Sequence, residues 1–238
     1  MKTINIAIKI FLVEFKKYCV VKSPKIAQQH LIIFTRYPEP GLTKTRLIPA
    51  LGTGGAAHLQ RQMTEYTLLK VRELQKAIAI SIEVRFTGGN LELMQSWLGA
   101  DLIYQSQGEG DLGKRMERSL EYAFSAGAHQ VIIIGTDCPD VNTQILAKAF
   151  TNLQQRDIVL GPAVDGGYYL IGLQRLFGEL FLDINWGTSQ VLQQTVAICH
   201  QLNLSIDYLP TLADVDRPED LPIWEKIVFN RKDTPAFQ

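Results

Sequence analysis

The sequence predicts an α/β domain built on a mostly parallel sheet. Short apolar runs of strand length recur at 30–34, 78–86, 101–104, 131–134, 157–160, 168–173 and 204–209. Longer segments with helical spacing separate them, at 55–77, 112–126, 142–153 and 188–202. No internal repeat, low-complexity tract or Pro/Ser linker divides the chain, so residues 26–238 read as one domain. A chain of 238 residues with 46% apolar content has enough material for one sizeable core.

Residues 1–25 read as an N-terminal extension. An apolar stretch at 4–13 is interrupted by Lys9 and followed by Glu14, Lys16 and Lys17, with no small-residue cleavage site. That pattern suits neither a spanning helix nor a signal peptide, and leaves an amphipathic interfacial helix or a plain extension. The run Val131-Ile132-Ile133-Ile134 is apolar at every position, as a strand covered on both faces requires, and is expected at the middle of the sheet. Pro218 opens the last helix, where its missing N–H costs nothing.

Lys plus Arg number 24 and Asp plus Glu number 24, so no long-range field recruits nucleic acid or an anionic membrane. Cys19, Cys138 and Cys199 are widely spaced and odd in number, which argues against a disulfide framework or zinc knuckle and for a reducing cytoplasm. The histidines at 30, 58, 129 and 200 have no ligand spacing and read as ordinary structural or surface residues.

In open α/β sheets ligands bind beyond the carboxyl ends of the strands, and the unusual residues of this chain fall in those loops. The first loop holds Arg36, Gly41, Lys44, Thr45 and Arg46, with Pro38 and Pro40 fixing the turn. Gly41 lets backbone approach a ligand, Lys44 supplies a point charge, and Arg36 or Arg46 supplies a planar fork for phosphate oxygens. The loop is no Walker A, because Thr43 stands where that motif needs glycine, and no GxGxxG follows the strand. The alternative is a loop whose cations merely decorate a solvated surface.

Three acidic turns follow later strands. Gly135-Thr136-Asp137-Cys138-Pro139-Asp140 places two carboxylates at the end of the central strand, where Mg²⁺ or Mn²⁺ would relieve their repulsion. Asp137 is the expected ligand and Asp140 the expected cap of the next helix, with Asn142 as the other candidate for that cap. Asp165-Gly166-Gly167 puts an acid before two glycines, either a hairpin turn or a close approach to substrate. Asp214 and Asp216 would point the same way in an extended segment. Of these, Asp216 is read as completing a metal site with Asp137, or else as capping the last helix.

Two weaker signals remain. Gln107 to Met116 is a glycine-rich turn entering a helix, with backbone N–H groups for an anion or a base edge and with Arg115 joining the phosphate-binding set. Trp186 offers a face for stacking on a sugar or base, and Thr188 a helix cap, although a buried Trp reads equally well.

Together, FTRYPEPGLTKTRL at 34–47, GDLGKRM at 110–116, GTDCPD at 135–140, GPAVDGGYYLIGL at 161–173 and WGT at 186–188 resemble one bacterial family, domain of unknown function 2064. The resemblance runs over 31–221. Its members are glycosyltransferase-A-like, some named as glycosyltransferases of arsenosugar biosynthesis. The family is similar to the nucleotide-diphospho-sugar transferase fold, which also houses molybdenum-cofactor and phospholactate guanylyltransferases, and DVDRPEDL resembles the ending of many of those. The resemblance implies a Rossmann-like GT-A three-layer sandwich. It also implies metal binding at Asp137 and a late second acid, Asp216, phosphate contacts from Lys44 and Arg46, and an acceptor side at Asp165, Gly166 and Gly167. The first loop departs from the glycine-rich LAGGxGxRM form of typical nucleotidyltransferases.

The expected function is metal-dependent transfer of a glycosyl group from a nucleotide-sugar to a small acceptor. Asp137 and Asp165 are the catalytic candidates, Trp186 an acceptor contact, and homo-oligomerisation is compatible with the sequence. Two alternatives stay open: nucleotidyl transfer from a nucleoside triphosphate with pyrophosphate release, and a non-catalytic nucleotide-binding module.

Overall fold

The structure, a computed structural model, describes residues 25–232. The extension expected over 1–25, with Cys19, therefore lies outside the described residues apart from Lys25. Seven strands are present: β1 Gln29–Arg36, β2 Ile80–Thr87, β3 Ile103–Ser106, β4 Gln130–Ile134, β5 Ile158–Pro162, β6 Tyr168–Leu173 and β7 Ile206–Tyr208. Six α-helices accompany them among the described residues: α1 Ile48–Ala77, α2 Leu91–Leu98, α3 Leu112–Ser125, α4 Thr143–Asn152, α5 Val191–Gln201 and α6 Leu221–Lys232.

The strands form one sheet in the order β3-β2-β1-β4-β6-β5-β7, which puts the all-apolar β4 at its centre. Only β6 runs against its neighbours, pairing antiparallel with β4 and β5, while the remaining pairs are parallel. The reason is the length of the connection. Residues 163–167 are too few for a crossover, which needs about a dozen residues or more, so β5 and β6 close as a hairpin.

Alternation along the strands divides the core between two faces. From β1, Leu31 and Ile33 join α1, α2 and α4 through Val71, Leu74, Met94, Leu146 and Phe150. Ile32, with Ile133 of β4, meets α3, α5 and the 3-10 turn Gly178–Phe181 through Met116, Leu120, Leu180, Phe181 and Cys199. This is a three-layer helix–sheet–helix arrangement. A third cluster, including Leu47, Met63, Val215 and Trp224, closes α6 onto the first half of α1.

Two differences from the expected elements have local causes. Helix α1 begins at Ile48 but is broken at Gly52, whose φ of 71° lies outside the helical region, so its regular part starts close to where the apolar period begins. Helix α2 carries too few residues for periodicity to declare it. Asn90 caps it by accepting from Leu93 N at 2.9 Å, and Met94 and Leu98 anchor it in the core.

Between β1 and β2, on the α3 side, lies a buried polar group. His30 Nε2 meets Glu83 Oε2 at 2.9 Å and its Nδ1 meets Ser81 Oγ at 2.7 Å, while Arg85 pairs with Glu83 and lies over the ring of Tyr122 at 5.1 Å. His30 is thus a core residue whose charge-capable ring has partners, which fixes β1 against β2 behind the first loop.

Candidate active site

A cavity of about 460 Å³ opens at the carboxyl ends of β1 and β4. The sheet order gives it two ends. Toward β2 and β3 it is lined by Thr87, Gln107, Leu112, Arg115 and Met116; toward β6, β5 and β7 it is lined by Asp137, Cys138, Asp165 and Asp214. Thr35 and Arg36, at the end of β1, lie between, and Tyr168, Trp186 and Thr188 form part of the wall.

The first loop reaches Asp137, on the cavity wall, through a strained residue. Lys44 sits in the left-handed region at φ 43°, and its side chain is only 4% exposed. Its Nζ donates to Asp137 Oδ1 at 2.8 Å and to the backbone oxygen of Val215 at 2.7 Å. Because Val215 N also donates to Asp137 O at 2.8 Å, three distant segments are tied together at one point. Arg36 Nη1 donates to Leu42 O at 2.6 Å and holds the loop's far side. Gly41, Lys44, Thr45 and Arg46 lie outside the cavity lining. Arg46 is turned instead to Asp216, with which it makes a close ion pair on an exposed surface. That hydrogen bond and charge raise the guanidinium pKa further above its ordinary value.

Asp214 and Asp216 flank the fully buried Val215, as extended alternation requires, but only Asp214 lines the cavity. The expected partner for Asp137, Asp216, is engaged by Arg46. Burial pushes the Asp214 carboxyl pKa up, and Asp165, Asp220 and Asp216 push it further while a backbone hydrogen bond opposes them. Asp214 therefore lines the cavity, where the sequence reading named it beside Asp216 but put the metal role on Asp216. The signal for it was the two-residue spacing, which cannot say which acid the tertiary structure neutralises.

Asp165 belongs both to the hairpin turn and to the cavity wall. Its Oδ1 accepts from Gly167 N at 2.8 Å, and the residue lines the cavity. Gly166 adopts φ 90° and packs against the Ser189 backbone, where a Cβ would not fit, so it supports the turn while Gly167 lines the cavity. Trp186 meets Tyr168 edge to face at 6.5 Å. A Cβ on Gly113 would come within 2.7 Å of its Nε1, so this glycine is what lets α3 approach the indole.

Two cap assignments change. The N-cap of α4 is Asn142, which accepts from Ile145 N at 3.0 Å, whereas Asp140 is exposed and caps nothing. The residue before α5 is Gln190, without a side-chain cap; Thr188 donates to Asn185 O at 2.7 Å and shapes the turn instead. Arg115 lines the cavity and steadies the glycine-rich turn by donating from Nε to Gly110 O at 2.8 Å.

The donor set suits a hard divalent cation. Asp137, Asp165 and Asp214 all act on the buried Cys138 thiol, whose pKa is pushed up first by burial and then by these three charges. Carboxylates gathered this way repel one another, and a cation would relieve them. Among the described residues no three-ligand protein cage exists. A metal bound beside these carboxylates would therefore take most of its ligands from water and ligand phosphates.

A three-layer α/β domain with a strand-end cavity bordered by cations and carboxylates is the architecture of the GT-A-like nucleotide-diphospho-sugar transferases. Within that class, the chain belongs to the family of domain of unknown function 2064, described as an uncharacterized protein conserved in bacteria, whose profile matches residues 70–188. It is similar to a protein from Desulfovibrio desulfuricans G20, provisionally named a nucleotide-diphospho-sugar transferase, at 31% identity and a TM-score of 0.77, over 89% of this chain and 90% of that one. The fold also matches 4-diphosphocytidyl-2C-methyl-D-erythritol synthase from Anaerococcus prevotii DSM 20548, at 11% identity and TM-score 0.57 over 86% and 98% of the two chains. A CMP-2-keto-3-deoxy-manno-octonic acid synthetase complexed with CTP matches at 11% identity and TM-score 0.52, over 86% and 100%. No curated protein matches the chain. No helix among the described residues is long and apolar enough to cross a membrane.

Proposed function

We propose that residues 26–238 form a metal-dependent transferase domain that takes a glycosyl group from a nucleotide-sugar and passes it to a small acceptor. The observation that carries this reading is the meeting of Asp137, Asp165 and Asp214 in a cavity also lined by Arg36 and Arg115. Such an arrangement binds a diphosphate at the cations and leaves carboxylates for a metal and for the acceptor.

Asp137 and Asp214 would hold Mg²⁺ or Mn²⁺. When bound, the metal supplies charge that stabilises a departing diphosphate. The chain's own residues do the rest. Arg36 and Arg115 hold phosphate oxygens. Lys44 keeps Asp137 and the 214–216 segment in register, so that one carboxylate oxygen of Asp137 stays available. Asp165 accepts the acceptor hydroxyl's proton as that oxygen bonds to the anomeric carbon and the bond from that carbon to the diphosphate breaks. Trp186, its indole wedged between Tyr168 and α3, presents an apolar wall for the sugar or acceptor.

The test is to incubate the protein with Mg²⁺ or Mn²⁺ and panels of nucleotide-sugars and nucleoside triphosphates, reading thermal shift and product. Glycosyl transfer predicts stabilisation by nucleotide-sugars and release of a nucleoside diphosphate in the presence of acceptor. Stabilisation by triphosphates alone, with pyrophosphate released, would replace this reading with nucleotidyl transfer. Asp137→Ala is expected to abolish metal-dependent nucleotide binding, and normal binding by that variant would remove the site from consideration.

A further inference from the structure

At the carboxylate end of the cavity the neutral hydrogen-bonding groups are engaged within the protein. Tyr169 donates from Oη to Pro210 O at 3.0 Å, and Tyr168 Oη is buried. Thr188 Oγ1 donates to Asn185 O at 2.7 Å and accepts from Gln190 N at 3.3 Å. Trp186 turns its Nε1 toward Gly113 of α3. These residues line the cavity, yet what they offer a ligand is mostly carbon surface, continued by Ala163 and Val191. Of the three carboxylates, Asp137 and Asp214 are given to the metal. Asp165 keeps one oxygen, Oδ2, without a hydrogen bond among the described residues.

The rim carries the same character. Val164 stands at the tip of the β5–β6 turn, between the cavity-lining Ala163 and Asp165, and is 69% exposed. Its exposure is not the slackness of a loose loop. Val164 N donates to Leu212 O at 3.0 Å, Ala163 N to Gly167 O at 3.0 Å and Gly166 N to Ala163 O at 3.1 Å, so the turn is held from both sides. An apolar wall therefore runs from the indole outward to a fixed apolar side chain in water.

That lining discriminates between acceptor chemistries. A polyol entering here would desolvate several hydroxyls and find a partner for one, and each hydroxyl left unpaired costs binding. A phosphorylated acceptor would bring further negative charge to Asp165, which has no cationic partner. A carbon framework with a single hydroxyl meets neither penalty, since apolar walls with one placed polar group suit it.

We propose that the acceptor is an apolar alcohol, which seats its one reactive hydroxyl at Asp165, packs its framework against Trp186 and Tyr169, and leaves the cavity over Val164. The inference rests on the glycosyl-transfer reading above and names its acceptor class. The acceptor oxygen bonds to the anomeric carbon, its proton passes to Asp165, and the electron pair of the broken bond leaves with the nucleoside diphosphate.

The test uses the full chain with Mg²⁺ and whichever nucleotide-sugar raises its melting temperature most. Glycosylated product is measured by mass spectrometry with ethanol, 1-butanol, 1-hexanol and 1-octanol, and with glycerol, glucose and glycerol 3-phosphate. Each added methylene is expected to raise kcat/KM about two- to fourfold, and 1-hexanol to exceed glycerol at least about tenfold. In Val164→Ser the gain per methylene between 1-butanol and 1-hexanol should fall below about twofold, through KM rather than kcat. A gain that levels off by 1-octanol marks a small alcohol as the source of this chemistry, and one that continues to 1-dodecanol marks a lipid chain; both keep the proposal. A flat alcohol series, or better turnover of glycerol, glucose or glycerol 3-phosphate, overturns it whether or not Val164→Ser folds. So does a protein that binds nucleotide-sugars and glycosylates none of the alcohols, and in both cases the glycosyl reading survives. If no nucleotide-sugar binds the wild type, that reading fails and this inference falls with it.

Discussion

The two ends of the cavity are built from opposite materials. At the β2–β3 end the polar groups include no carboxylate and are held by hydrogen bonds: Gln107 by the carbonyls of Thr35 and Arg85, Thr87 Oγ1 by accepting from Arg36 Nε at 3.3 Å, and Arg115 by donating from Nε to Gly110 O at 2.8 Å. At the other end the polar groups are carboxylates, and only part of their charge is neutralised within the protein. Lys44 meets one oxygen of Asp137, Arg46 meets Asp216, and Asp214 and Asp165 have no cationic partner within ion-pair distance among the described residues. The difference teaches what each end waits for. A locked neutral group selects a shape and a hydrogen-bond pattern, whereas an under-neutralised acidic group selects positive charge.

The largest effect that would break this comparison lies between two acids two residues apart. Asp214→Asn is expected to weaken metal-dependent nucleotide binding at least about tenfold, roughly 1.4 kcal/mol. Asp216→Asn, which removes an ion pair with a largely exposed Arg46, is expected to change binding and stability by less than about 1 kcal/mol. Titration calorimetry with Mg²⁺ and nucleotide measures both. If Asp216→Asn proves the more damaging, the metal end has been drawn on the wrong residue and the Arg46 pair must open when the ligand arrives.

Lys44 tests whether the acidic end is held in place by its own cation. Lys44→Met leaves Asp137 Oδ1 and Val215 O without the ammonium that now bridges them. Loss of a charge-assisted contact of this kind costs about 1.5–3 kcal/mol, and the half-exposed Asp137 argues for the lower part of that range. For a chain of this size the melting temperature should fall by about 2–4 °C for each kcal/mol lost. Nucleotide binding should fall with it. A melting temperature unchanged within error would mean that the three segments stand without their tie.

The legibility of the two ends in the sequence was unequal for the same physical reason. Strands announce themselves through apolar runs, and β4 was placeable at the centre because all four residues of Val131-Ile132-Ile133-Ile134 are apolar. The acidic loops also announce themselves, because charge after a strand is unusual. Which of Asp214 and Asp216 lines the cavity does not, since Asp216 is paired with Arg46, far away in the chain. The orientation of Gln107 was silent for a stronger reason. It is set by two backbone carbonyls on β1 and β2, and a backbone carbonyl carries no sequence signature. The reversal of β6 was written only in the shortness of residues 163–167, and α2 was too short for its period to show.

The smallest expected effect sharpens the comparison with a carboxylate outside the cavity. Asp157, next to β5, accepts from Ser205 N at 2.9 Å and Ser205 Oγ at 2.6 Å, joining the segments that precede β5 and β7. Those hydrogen bonds, the hydroxyl's first, pull its pKa down, the reverse of the upward push at Asp214. A carboxyl whose folded pKa lies below its unfolded value stabilises the fold above the unfolded pKa, about 3.9, and loses that contribution as pH falls through the folded value. Asp157→Asn should therefore destabilise the fold at pH 7 by less than about 1 kcal/mol for so solvent-screened a group, seen as a slightly lower melting temperature, and the gap to wild type should close below about pH 4. Melting curves between pH 3 and pH 7 measure it. A gap that stays constant with pH would mean that Asp157 acts through shape rather than charge, and that only the cavity acids of this chain respond to the charge around them.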